Sequence, residues 1–257
     1  MTDTAPQVEN EFGVPFPGEI LPEEQWAKTA IKKLPPHGLL DFAEIFGRTA
    51  PIVLDLGCGN GRLALSSALR RPEYDHLAID ILPVVIRYAT RRANHRGLTN
   101  TRWAVIGGRE LLEHYIRPGS IAEIHCYHPQ PYYEKYEIKK RLLTPEFFSQ
   151  VHRSLEPGGL CVLQTDNPAY WTYILRVAPA FFEFTEQTEP WPDAPKGRTR
   201  REILAGSLKL PVFRGYGIAR KDIAEADYKA IMKKLPLPKF NADRKLMELD
   251  RIEAGGR

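Results

Sequence analysis

The chain has 257 residues, enough for one substantial core plus a tail or cap. It is 43% hydrophobic and 26% charged, as soluble globular proteins are, and no run approaches the roughly 18 apolar residues of a membrane span. The net charge of +4 decides little by itself. Cys58, Cys126 and Cys161 lack metal-type spacing and sit in or beside apolar runs, so they read as reduced buried thiols of a cytoplasmic protein, with no metal site expected.

Residues 1–36 carry several prolines, six acids, three lysines and little periodicity, and read as a mobile N-terminal arm. The first 30 residues lack an apolar signal core, so secretion is not expected. From Pro51 the pattern alternates. Apolar runs near 52–56, 76–80, 102–106, 121–127, 160–165 and 181–185 are separated by helical patterns near 61–70, 82–96, 109–115, 144–155 and 168–178. That alternation predicts an α/β domain over 37–220, a mostly parallel doubly wound sheet with helices on both faces. Leu155-Glu156-Pro157-Gly158-Gly159 reads as a helix stop and a turn into the fifth strand. Residues 221–257 read as a charged helical C-terminal extension, interrupted at Leu235-Pro236-Leu237-Pro238.

The stretch Val53-Leu54-Asp55-Leu56-Gly57-Cys58-Gly59-Asn60-Gly61-Arg62 is the first strand, turn and helix of a nucleotide-binding sheet. Glycines there let backbone approach a ligand. Asp80 closes the next apolar run, where a ribose-binding carboxylate is expected. Arg62 stands where a dinucleotide fingerprint needs a third small residue, and no Gly-Lys-Ser/Thr follows, so NAD and an ATPase phosphate loop are disfavoured. The pattern resembles the S-adenosylmethionine (SAM) motif of class I methyltransferases. SAM carries an amino group and a ribose diol but no phosphate, so carboxylates at two strand ends suit it.

The fourth strand ends in His128-Pro129-Gln130-Pro131-Tyr132-Tyr133, a loop stiffened by two prolines with aromatics beside Gln130. Such a loop offers carbonyl acceptors and a stacking face to a planar base. His125 and His128 flank the strand's end and read as hydrogen-bonded structural histidines. Two basic blocks suit a polyanionic partner: seven arginines in 87–117, and Lys196, Arg198, Arg200, Arg201, Lys209, Arg214 and Arg220 in 196–220.

Residues 129–147, with Pro157-Gly158-Gly159, Thr165-Asp166 and Thr199-Arg200-Arg201-Glu202, resemble the bacterial tRNA (guanine-N7)-methyltransferase family. That family has a Pro-Asp-Pro-Trp loop, a basic run, Arg-Leu-x-x-Pro-Glu-Phe, and a Thr-x-x-Glu motif that helps hold the guanosine. This chain departs from it at Gln130 (Asp in the family), Tyr132 (Trp) and Glu134 (Lys or Arg, with Lys135 adjacent). Asp55 replaces the leading Glu of the SAM motif, and Arg214-Gly215-Tyr216-Gly217 stands where the family has Gly-His-Gly.

The resemblance implies a Rossmann-like class I methyltransferase that uses SAM and acts on N7 of guanine in tRNA; the sequence leaves monomer and homodimer both open. Asp55, Gly57, Gly59, Gly61, Asp80, Gly108 and Arg109 would hold SAM. Gln130 stands at the family's catalytic loop position. Glu134, Lys135, Asp166, Thr199, Glu202, Arg198, Arg200 and Arg201 would meet the substrate, with the arginines of 87–109 and the 196–201 basics at its backbone. Guanine N7 has a free lone pair, so alignment rather than a general base would carry the reaction. Two other readings stand beside this one: a methyltransferase of the same fold acting on another nucleobase or small planar molecule, and a non-catalytic RNA-binding relative.

Overall fold

A computed structural model describes residues 9–36, 38–134, 136–241 and 243–253. In chain order its elements are β1 (Asn10–Glu11), β2 (Val14–Pro15), α1 (Phe42–Phe46), β3 (Ile52–Leu56), α2 (Arg62–Arg70), β4 (Asp75–Asp80), α3 (Pro83–His95), β5 (Thr101–Val105), α4 (Gly108–His114), β6 (Ile121–Tyr127), α5 (Pro145–Ser154), β7 (Leu155–Thr165), α6 (Pro168–Val177), β8 (Phe182–Gln187), α7 (Arg200–Ser207), β9 (Phe213–Ala219), α8 (Tyr228–Met232) and α9 (Arg244–Glu253).

The central apolar runs, β3, β4 and β6, become strands buried on both faces. Alternation along them sends Ile52, Leu54, Leu56, Leu77 and Ile79 to one face, where Phe147, Phe148 and Ile174 pack. Ala78 points to the other, with Ala64, Leu65, Ala89 and the fully buried Trp103. Caps mark the helix starts. Thr144, Asn167 and Thr199 each accept a backbone N–H two or three residues into the helix that follows.

One sheet runs in the order β5-β4-β3-β6-β7-β9-β8. The first five strands of that order pair in parallel, and β9 is antiparallel to both β7 and β8. The sheet and its helices therefore take the Rossmann-like, doubly wound α/β form that the alternation predicts. The chain switches direction across the sheet between β3 and β6, the crevice where such folds bind ligands. The strand β9 was not among the apolar runs read from the sequence. Phe213–Ala219 contains two glycines, which blunt its hydrophobic signal but are required by its place between two strands. A Cβ at Gly217 would lie 2.6 Å from Phe182 Cβ, and one at Gly215 2.7 Å from the Thr185 carbonyl oxygen.

The first and last described segments lie against this body. Glu9 and Glu11 pair with Arg92, Arg96 and Arg62, and the buried Phe16 ring has those three guanidiniums 3.8–5.5 Å from its centroid. Ala30 bridges to Trp103 beside β5. At the other end, Leu249 of α9 packs on Leu204 and Ala205 of α7. Among the described residues no helix is long and apolar enough to cross a membrane.

Candidate active site

A cleft of about 1060 Å³ opens at the carboxyl ends of β3, β4 and β6. Its first half is the turn after β3. Gly57 (φ +76°) and Gly59 (φ +53°) take left-handed conformations, and a Cβ at either would meet only open space. Gly61 belongs to the same turn but serves packing: its φ is +82°, and a Cβ there would lie 2.8 Å from Trp103 and 2.9 Å from Ala89.

Two carboxylates face this half. Asp55 is 4% exposed, and its Oδ2 has no hydrogen-bond partner among the described residues. Burial, and then the charge of Asp80, push its carboxyl up to about 7. Asp80 is anchored: Oδ1 accepts from Leu82 N at 3.0 Å and Oδ2 from Gly59 N at 3.2 Å. The following Ile81 and Leu82 are exposed apolar side chains. An unpartnered buried carboxylate, a fixed second one and an apolar shelf suit a cationic, diol-bearing, planar ligand. An amine donating to Asp55 would satisfy its orphaned oxygen.

The second half lies where β6 ends. Tyr127, His128, Gln130, Thr199, Arg200, Arg201, Asp250 and Glu253 line it. His128 turns the chain out of the strand at φ +49°. Its tautomer follows from its neighbours. Trp191 Nε1 donates to Gln164 Oε1 at 2.7 Å, which aims the Gln164 amide nitrogen at His128 Nε2, 3.1 Å away. In the neutral ring Nε2 must then accept, so the proton sits on Nδ1, 3.4 Å from Asp166 Oδ1. Arg201 Nε donates to the other Asp166 oxygen at 2.7 Å. Burial opposes ionisation of Asp166, but His128 and Arg201 outweigh it and hold the carboxyl at about 2. Arg201 also donates to Asp250 at 2.6 Å and Glu253 at 2.9 Å.

The Thr-x-x-Glu segment is a helix cap. Thr199 Oγ1 accepts from Glu202 N at 3.1 Å. The buried Glu202 carboxylate accepts from Arg198 N at 2.8 Å and from Arg214 at 3.1 Å. Arg198 is held by Asp193 and the Tyr127 hydroxyl, over the Trp191 ring.

Arg141 sets the loop that carries Gln130. It is fully buried, and its guanidinium donates to the carbonyls of Pro131, Tyr132, Pro238 and Phe240 at 2.6–3.1 Å, with Phe240 beneath it at 3.7 Å. One side chain thus fastens the Pro-Gln-Pro loop to the C-terminal extension. Gln130 itself is exposed at the cleft wall.

A family model described as "Putative methyltransferase" matches residues 49–214. A tRNA (guanine-N(7)-)-methyltransferase of Halorhodospira halophila is 30% identical over 173 residues, 66% of this chain and 75% of that protein. One of Paracidovorax citrulli is 33% identical over 181 residues, 70% of this chain and 71% of that protein. The chain belongs to the tRNA (guanine-N7)-methyltransferase family. Among solved structures, the 16S rRNA methyltransferase KamB shares the fold, with a TM-score of 0.57 at 16% identity over 75% of this chain and 98% of that one.

Seen as a tRNA (guanine-N7)-methyltransferase family member, the chain gathers most of the residues singled out from its sequence. Asp55, Gly57, Gly59, Asp80, Gln130, Thr199, Arg200 and Arg201 share the cleft wall, with Asp166 and Glu202 directly behind. Others lie elsewhere. Gly108 opens α4 against Leu56 and Leu142, and Arg109 donates to the Arg141 carbonyl at 3.3 Å; neither lines the cleft. Glu134 is exposed away from the cleft wall, and Lys135 lies outside the described residues. The basic blocks are less available than their charge suggests. Arg92 and Arg96 are buried against Phe16 and the arm's glutamates, and Arg102 donates to the carbonyls of Ile45, Thr99 and Thr101. Of that block Arg87, Arg91 and Arg117 are exposed. Asn10 and Phe12 of the arm, and Asp250 and Glu253 of α9, also line the cleft, and no motif in the sequence marks them.

Proposed function

We propose that this protein methylates N7 of guanine in tRNA in the cytoplasm, with SAM as the methyl donor. The observation that carries this reading is one continuous cleft. It joins an orphaned buried carboxylate, Asp55, to the Gln130 loop, in a chain of the tRNA (guanine-N7)-methyltransferase family. When bound, SAM supplies an electrophilic methyl group on a sulfonium.

Asp55 accepts from the donor's amino group, and the anchored Asp80 from its ribose diol. Gly57 and Gly59 leave room for both. Gln130, Asp166, Thr199 and Glu202 form the guanosine side, Gln130 in contact with the base and the others setting the wall around it. N7 of neutral guanine carries a free lone pair, so no residue need remove a proton before attack. The protein's contribution is alignment and electrostatics. His128 Nδ1 lies 3.4 Å from Asp166, and the carboxylates on this side favour the positive charge that guanine gains at N7. Residues 1–36 act as an arm on the catalytic unit 37–220, and 221–257 as an extension that completes the acceptor wall.

The test is incubation of the purified protein with labelled SAM and tRNA lacking 7-methylguanosine, followed by digestion to nucleosides, with Asp55→Ala as the control. Labelled 7-methylguanosine from the wild type alone supports the reading. A second reading, another nucleobase or a small planar acceptor, is favoured by the amide at position 130 and by basic side chains held in internal ion pairs. A different labelled nucleoside would select it.

A further inference from the structure

The helix α9 enters the acceptor half of the cleft from outside the matched segment 49–214. Its presence there answers a question of chemistry. Guanine presents N1–H and N2–H as paired donors on its Watson–Crick edge. A site that selects guanine needs an open acceptor for them, and a carboxylate serves best because a charged acceptor bonds about twice as strongly as a neutral one.

The acids identified from the sequence are already engaged. Asp166 binds Arg201 and faces His128, and Glu202 binds Arg214 and the Arg198 N–H. Gln130 offers one carbonyl oxygen beside a donor amide. Asp250 differs. Its Oδ1 accepts from Arg201 at 2.6 Å, while its Oδ2 carries no hydrogen bond among the described residues, and its side chain is 28% exposed on the wall that includes Gln130. Arg201 ties Asp250 to Asp166, which fixes its Oδ1 and leaves Oδ2 to the cleft. Three carboxylates (Asp166, Asp250, Glu253) share one guanidinium, leaving the cluster net negative. Such a cluster gains from base N–H donors and from the charge that methylation places on guanine. Glu253 binds the same Arg201 from the last described turn of α9 and is more exposed, at 33%.

We propose that Asp250 is the guanine-specifying acceptor of this protein, supplying from the C-terminal helix the carboxylate that position 130 lacks. This rests on the guanine-N7 reading above.

The test uses the full chain, labelled SAM and tRNA lacking 7-methylguanosine. Asp250→Asn should lower kcat/KM for tRNA about 30- to 100-fold, as expected for a site whose partner for a substrate donor is removed. SAM affinity and the thermal midpoint should stay near wild type. Gln130→Asp added to Asp250→Asn should recover most of the activity, because it returns a carboxylate to the same wall. Asp250→Asn should also erase the preference for guanosine over inosine at the methylated position, since inosine lacks the N2 amine. If the wild type forms no 7-methylguanosine, the functional reading falls and this assignment falls with it. If the wild type is active and Asp250→Asn stays within about threefold of it, this assignment alone is overturned. A loss that Gln130→Asp does not rescue, with the guanosine preference intact, assigns Asp250 to support of α9 and overturns it as well.

Discussion

The two halves of the cleft are built in opposite ways. The half around Asp55 and Asp80 comes from two neighbouring strands and the turn after one of them, and it keeps a carboxylate oxygen without a partner. The half around Gln130 comes from four distant stretches, 127–130, 164–166, 198–202 and 250–253, and nearly every charge in it is already paired. On the reading proposed above, holding one donor molecule fits into a short continuous motif. Discriminating an acceptor needs groups converging from several directions, so it is assembled through ion pairs that fix those directions.

The largest expected effect breaks the second half alone. Arg141→Ala should cost about 3–5 kcal/mol of stability by urea unfolding, because four carbonyls lose a buried charged donor at once. An unchanged unfolding midpoint would show that the loop does not depend on this side chain. Asp55→Ala should break the first half, weakening SAM binding by at least about 100-fold in a calorimetric titration, the scale of a lost charge-assisted bond. Arg201→Ala sharpens the contrast: methyl transfer should fall about 30-fold while SAM affinity holds, since Asp166 and Asp250 lose their common anchor. Equal losses in both quantities would mean that the halves are coupled.

A smaller effect is in pH. Burial and the charge of Asp80 push the Asp55 carboxyl up to about 7, and an amine ligand requires the ionised form. Below that value binding must expel a proton, so SAM affinity should be about fivefold weaker at pH 6 than at pH 7, and flat in Asp55→Asn. The sign for folding is opposite. The raised value disfavours the charged native form, so this group makes the ligand-free protein less stable as pH rises from about 4 to 7, and Asp55→Asn removes that slope. The smallest effect concerns tRNA. Arg87→Ala, Arg91→Ala and Lys196→Ala, at exposed positions, should each reduce the logarithmic salt slope of binding by about one. Arg198→Ala should change it less, because Asp193 already neutralises that guanidinium.

How much was legible in the sequence follows the same division. The Asp55–Gly61 turn, Asp80 and the alternating strands could be read because their signals are local: period-two burial, positive-φ glycines, a carboxylate closing a run. Charge counts misled in 87–109, since the sequence does not show that Phe16 and two glutamates of the arm turn Arg92 and Arg96 inward. Position 250 was invisible for a related reason. An aspartate in a charged helix reads as solvated surface until the fold lays that helix along α7.

The insertion of β9 between β7 and β8 also has a temporal meaning. A chain leaving the ribosome makes β8 before the strand that must lie between it and β7, so β8 has no partner until residue 219 has emerged. Arg214, which fixes Glu202 and reaches Gln164, rides on that late strand. The Asp55–Gly61 turn can form on a nascent chain well before the wall around Gln130 exists. A product truncated before β9 would keep the glycine turn yet expose an unpaired strand edge, a template for aggregation rather than a partly working enzyme.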